Sequence, residues 1–117
     1  MSIQRMGVGE RLSATATFER LVFLSGQVPD TAEHDVELQC QQVLGKIDAL
    51  LKQNGSSKDS ILAATIYLKS IARDFDSMNR VWSSWLSPGC APTRTALQAD
   101  LARPSVLVEI TIIAAKE

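Results

Sequence analysis

The chain has 117 residues, 45% of them hydrophobic and 21% charged, with a formal net charge of −1. That length suits one domain, residues 1–117, and the composition is that of a folded globular protein rather than a disordered one. Acids and bases are interspersed without a basic run, which argues against nucleic acid or an anionic membrane surface as the main partner.

No apolar stretch approaches the ~20 residues of a membrane span. The opening MSIQRMGVGERL lacks the apolar core of a secretion signal, so a cytoplasmic location is expected. Cys40 and Cys90 are the only cysteines and lie far apart, so free thiols are expected in a reducing compartment. His34 is the only histidine, which leaves little from which to build a zinc site, and no metal is expected.

In chain order, residues 3–6 read as a short edge strand and 7–10 as a turn. Residues 12–18 (LSATATF) alternate small apolar and hydroxyl side chains, as a half-buried strand does. Glu19-Arg20 is a tight turn into the strongly apolar strand 21–25, and Gly26 to Asp30 breaks the hairpin, with Gly26 free to permit a bulge or a close approach of its backbone to another group. From about residue 32 to 53 the period turns helical. Val36, Cys40, Val43, Leu44, Ile47, Leu50 and Leu51 form one stripe, which places Cys40 in the core, and Asn54-Gly55 ends the helix. His34, among acids at the start of this segment, is expected to be solvated.

Residues 61–68 (ILAATIYL) predict a strand apolar on both faces. Asp74 is the expected cap of a second helix, whose buried stripe is Phe75, Met78, Trp82, Trp85 and Leu86. Trp82 and Trp85 read as core or interface packing. Residues 92–98 and 106–115 are the last two strands, joined by 100–105. The order is β-β-β-α-β-α-β-β, an α+β chain. Two helices cover one face of a sheet, yet the strands 61–68 and 106–115 are apolar on both. A second copy packed sheet to sheet in a closed ring is the expected cover, with a site where subunits meet.

Glu109 stands out in an otherwise apolar strand, since a buried carboxylate needs a partner or takes up a proton. With Arg94 it is either a structural ion pair or the two ends of a small-molecule site. In the second case Arg94 would hold an anion through its planar fork and Glu109 would handle a proton. Ser25 reads as a strand-end hydroxyl rather than a nucleophile, because no base lies near it in sequence. Cys90, in a loop just before Arg94, stands as either a bystander or a thiol beside the site.

Four segments, in order and over nearly the whole chain, resemble the RidA (YjgF-type) family: Ser25-Gly26-Gln27-Val28-Pro29, Asp74-Phe75 with Asn79, Ala91-Pro92-Thr93-Arg94, and Val108-Glu109-Ile110 with Ala114. The resemblance implies a chorismate-mutase-like fold, a mixed sheet covered on one face by two helices, assembled as a homotrimeric barrel with clefts between subunits. It also implies cofactor-free hydrolytic deamination of enamines and imines, such as 2-aminoacrylate and related 2-imino acids, to 2-keto acids and ammonia. By position, Arg94 resembles the family arginine that grips the substrate carboxylate. Glu109 resembles the glutamate that positions water, and Ser25, Gly26 and Asn79 resemble cleft residues. Two features depart from the pattern. Leu12 stands where the family often has a tyrosine, and the loop after Pro29 is short. Both open an alternative reading, a non-catalytic protein that binds small carboxylates.

Overall fold

The alternating segments form strands and the three-and-four-spaced ones form helices. The computed structural model describes residues 2–117. Its elements are β1 (Gln4–Val8), β2 (Ser13–Phe18), β3 (Leu21–Gln27), α1 (Val36–Gln53), β4 (Ile61–Leu68), α2 (Ile71–Trp85), β5 (Thr93–Gln98) and β6 (Val108–Ala115), with a 3-10 turn at Lys58–Ser60. The strands make one six-stranded sheet in the order β1-β2-β3-β6-β4-β5. Every neighbouring pair is antiparallel except β4 and β5, which are parallel and joined through α2. The chain is therefore α+β with a mixed sheet, as expected.

Several boundaries differ from the sequence reading, each for a local reason. The first helix starts at Val36, where the Asp35 side chain accepts the Leu38 amide at 3.1 Å. His34 therefore precedes the helix, and its Nε2 lies 3.0 Å from Arg73 Nη1. Ser70, not Asp74, caps α2, its hydroxyl accepting the Arg73 amide. Asp74 lies in the first turn, almost fully buried, where Arg73 donates to it from Nε and Nη2 at 2.9 and 2.8 Å. A buried carboxylate near a helix N-terminus is further favoured by the helix dipole. The third strand runs on through Gly26 to Gln27, and the last begins at Val108 rather than 106.

The end of α1 is as expected. Gly55 takes φ +73°, while the Ser56 amide donates to Leu51 O and the Gly55 amide to Lys52 O, closing the helix in a Schellman turn. The tight turn after β2 is also present, with Glu19 held at φ +56°, a left-handed conformation that side chains disfavour.

Both helices lie on one face of the sheet. Val22, Leu24, Ala64, Ile66, Leu68, Ile110, Ile112 and Ala114 point to that face and pack with Val43, Leu44, Ile47 and Leu51 of α1 and Met78 and Trp82 of α2. Cys40 belongs to this core. Burial pushes its thiol up to about 12, so it stays protonated and unreactive near neutral pH.

One polar side chain is fully enclosed. Gln39 donates from Nε2 to Glu33 O and Ser105 O, each at 2.9 Å, and its Oε1 accepts the Leu107 amide at 2.8 Å. It ties α1 to the segment before it and to the connection entering β6. The opposite face of the sheet is not covered within one chain, and Leu21, Phe23 and Leu97 remain 37–40% exposed on it.

Candidate functional site

Arg94 lies on β5 beside Ala64 of β4, whose side chain is buried under the helices, so the arginine points to the helix face. There α2 fixes it. Arg94 Nη1 donates to Asn79 Oδ1 at 2.7 Å and lies 4.0 Å from Met78 Sδ, and the guanidinium carbon sits 5.9 Å from the Phe75 ring centroid. This contact set draws on the second helix, where Phe75, Met78 and Asn79 share one face at three- and four-residue steps. Its Nε and Nη2 make no hydrogen bond among the described residues, which leaves one edge of the fork for an anion.

Glu109 lies on β6 opposite Tyr67 of β4, and both are half-buried on the uncovered face. Its carboxylate packs directly on Gly26 of β3. A Cβ on Gly26 would meet Glu109 Cδ at 3.0 Å and Cγ at 3.2 Å, and would overlap the carboxylate oxygen. Gly26 is thus needed for space rather than for backbone conformation.

A bulge creates this arrangement. Between the pairs Leu24–Ile112 and Gln27–Ile110, two residues of β3, Ser25 and Gly26, stand against one of β6, Thr111, so Ser25-Gly26 carries the extra residue. Ser25 uses its hydroxyl to donate to Ser13 O at 2.6 Å, a strand-joining role that occupies its proton.

Arg94 and Glu109 do not meet within the chain. Arg94 aligns with Ala64 and Ile112, whereas Glu109 aligns with Tyr67 and Leu97. They are two strands apart and three residues apart along the strand, about 10 Å in each direction, and on opposite faces. The structural ion pair left open by the sequence is excluded within one chain. Of the expected site residues, the structure joins Arg94 to Asn79 and Glu109 to Gly26, with Ser25 next to the latter pair.

Two open clefts lie on this side, one lined by Glu109 and the other bordered by Ser25. One, of about 270 Å³, is lined by Tyr67, Asp100, Leu101, Glu109 and Thr111 among others. The second, of about 420 Å³, is lined by Arg5, Arg11, Leu12, Phe23 and Ser25 among others. Sequence reasoning passed over Tyr67, Arg5 and Arg11. Tyr67 was within reach, since period-two alternation from Ala63 and Thr65 puts it on the same face as Glu109 once the β4–β6 pairing is known. Cys90 lies in the turn before β5 and is half-buried. Among the described residues no group of three or more His, Cys, Asp or Glu could hold a metal, and no helix is long and apolar enough to cross a membrane.

Residues 3–116 match the family model described as Endoribonuclease L-PSP. The chain is also 42% identical over 113 residues to a RutC family protein of Haemophilus ducreyi, covering 97% of this chain and 96% of that relative. The chain belongs to the YjgF/Rid family. Another Rid relative, the RutC family protein YoaB of Escherichia coli, is 39% identical over 115 residues, covering 98% of this chain and 99% of its own length. Among solved Rid structures, NMB1025 of Neisseria meningitidis, a member of the YjgF protein family, superposes with a TM-score of 0.96 at 39% identity, covering 100% of this chain and 97% of that one. The two helices packed on a mixed six-stranded sheet are thus the family fold.

Proposed function

We propose that this Rid protein hydrolyses reactive enamine and imine intermediates, 2-imino acids of the 2-aminoacrylate class, to 2-keto acids and ammonia. The observation that carries the reading is the seating of the Glu109 carboxylate on Gly26, on a sheet face that a single chain leaves uncovered. Because Arg94 faces the other way, the site takes Arg94 from one copy and Glu109 with Ser25 and Gly26 from another, in a homotrimer with clefts between subunits. The exposed Leu21, Phe23 and Leu97 supply an apolar surface for that packing.

In the reaction, Arg94 grips the substrate carboxylate with the fork edge that Asn79 leaves free. Glu109 accepts a proton from water as the water oxygen bonds to the C=N carbon. The C=N π pair passes to nitrogen, which takes up a proton and gives a carbinolamine. Collapse to C=O then expels ammonia: Glu109 gives its proton to the leaving nitrogen, and the hydroxyl proton passes to solvent, replacing the one that the nitrogen took from solvent in the first step. The net change is imine plus water to keto acid plus ammonia, with no redox step and no cofactor required. Imines hydrolyse readily in water, so positioning by Arg94 and Glu109 accounts for much of the acceleration needed.

Adding the protein to a dehydratase that generates 2-aminoacrylate should speed ammonia and keto-acid release, and Arg94→Ala should lower that acceleration by at least about a hundredfold. Equal rates for wild type and Arg94→Ala would refute the proposed site. A light-scattering mass of three times the 12.7 kDa chain is expected, and a monomer would remove the shared cleft.

Leu12 in the usual tyrosine place favours a second reading, a Rid protein that binds small carboxylates without turnover. Arg94-dependent thermal stabilisation by 2-keto acids without ammonia release would select it. The family model's description names a ribonuclease. The net charge of −1 and the interspersed charges support a small anion over RNA as ligand for this chain.

A further inference from the structure

The deaminase reading uses Glu109, Gly26 and Arg94 but leaves the neighbouring cleft of Arg5, Arg11 and Leu12 without a role. Arg5 lies on β1 opposite Ala16, which in turn lies opposite Phe23, so all three share the uncovered face with Glu109. Arg11 belongs to the turn 9–12, closed by a 2.8 Å bond from the Gly9 amide to Leu12 O. This turn leads into Ser13, the residue whose carbonyl accepts the Ser25 hydroxyl. Ser25-Gly26 is therefore a shared wall, with Ser25 bordering the arginine cleft and Gly26 under the Glu109 carboxylate.

Two guanidiniums face this cleft against one carboxylate, Glu10, and neither arginine has an ion-pair partner among the described residues. Leu12, 62% exposed, lines the same cleft and adds no polar group that could compete with a ligand for the arginines.

We propose that Arg5 and Arg11 form a second anion site, so that the preferred ligands of this chain are dicarboxylic 2-imino and 2-keto acids of four or five carbons. The 1-carboxylate goes to Arg94, the reacting carbon sits beside Glu109, and the distal carboxylate crosses Ser25-Gly26 to the two arginines. This rests on the deaminase or carboxylate-binding reading above and adds the substrate class. A forked donor pair recognises a carboxylate by geometry as well as charge, so the distal group selects the ligand rather than merely strengthening it.

Calorimetric titration of the intact protein with 2-oxoglutarate and with the chain-matched monocarboxylate 2-oxopentanoate tests this. Wild type should bind 2-oxoglutarate at least about tenfold tighter, and the advantage should shrink with added salt. Arg5→Gln together with Arg11→Gln should abolish the advantage while leaving 2-oxopentanoate binding intact, which also shows that the variant is folded. Equal affinities in wild type, or a dicarboxylate preference that survives the double variant, would overturn the second site alone. If neither keto acid binds and no ammonia is released, the deaminase and carboxylate-binding readings fall together with it.

Discussion

The two faces of the sheet are built to different standards. The helix face is finished within one chain, apart from the β5 edge where Arg94 is exposed. Its apolar side chains interlock, Gln39 makes all three of its hydrogen bonds, and Arg94 is held by Asn79 and Phe75. The opposite face carries exposed Leu21, Phe23 and Leu97, two open clefts and a carboxylate whose neighbour is a glycine. A face that a chain completes by itself supplies stability. One that it leaves open is where another molecule, a second copy or a ligand, can contribute.

Substitutions can break this contrast. The largest effect on stability is expected at Gln39. Gln39→Leu keeps the volume but strands the buried Leu107 amide and removes the bonds to two part-buried carbonyls, so a loss of about 2 kcal/mol is expected in urea unfolding, with the slope unchanged. A loss under about 1 kcal/mol would mean that water enters the helix face easily, and the contrast would fail.

Gly26→Ala should behave in the opposite way. The added methyl meets the far end of a side chain that can swing aside, so the melting temperature should move by only a few degrees. Displacing Glu109 should nevertheless cost at least about tenfold in kcat/KM, roughly 1.4 kcal/mol. Full activity in Gly26→Ala would detach Glu109 from the chemistry.

The smallest effect belongs to Asn79, which acts through Arg94. Asn79→Ala loosens the fork without removing it. A rise of about threefold to tenfold in KM for a carboxylate substrate, with kcat nearly unchanged, would mark it as a positioning residue. An equal fall in kcat would instead place Asn79 against the reacting atoms.

Much of this was legible in the sequence because local patterns carried it. Both helical stripes, the glycine stop at Gly55, the two-sided strands and the placement of Cys40 in the core follow from spacing alone. Where two local signals competed, the sequence was ambiguous. Ser70 and Asp74 are both good caps, and the choice fell to Ser70 because Ile71 is drawn into the apolar stripe while Asp74 pairs with Arg73. Gly26 pointed to a bulge or a close approach at this place, but which of the two, and against what, depends on how β3 registers against β6, some eighty residues later, and both occur there.

By itself, then, the sequence determined the element types, their order, the core stripes and the residues worth suspecting, because each depends on neighbours within one or two turns. Only the tertiary structure decided how the suspects relate. Arg94 and Glu109 are fifteen positions apart on two strands that read alike, and no local rule says whether they meet. The insertion of β4 between β5 and β6, with the register that pairs Ala64 with Arg94 and Tyr67 with Glu109, turns them to opposite faces. Strand pairing is a long-range choice, and that choice keeps Arg94 and Glu109 from forming an ion pair within one chain.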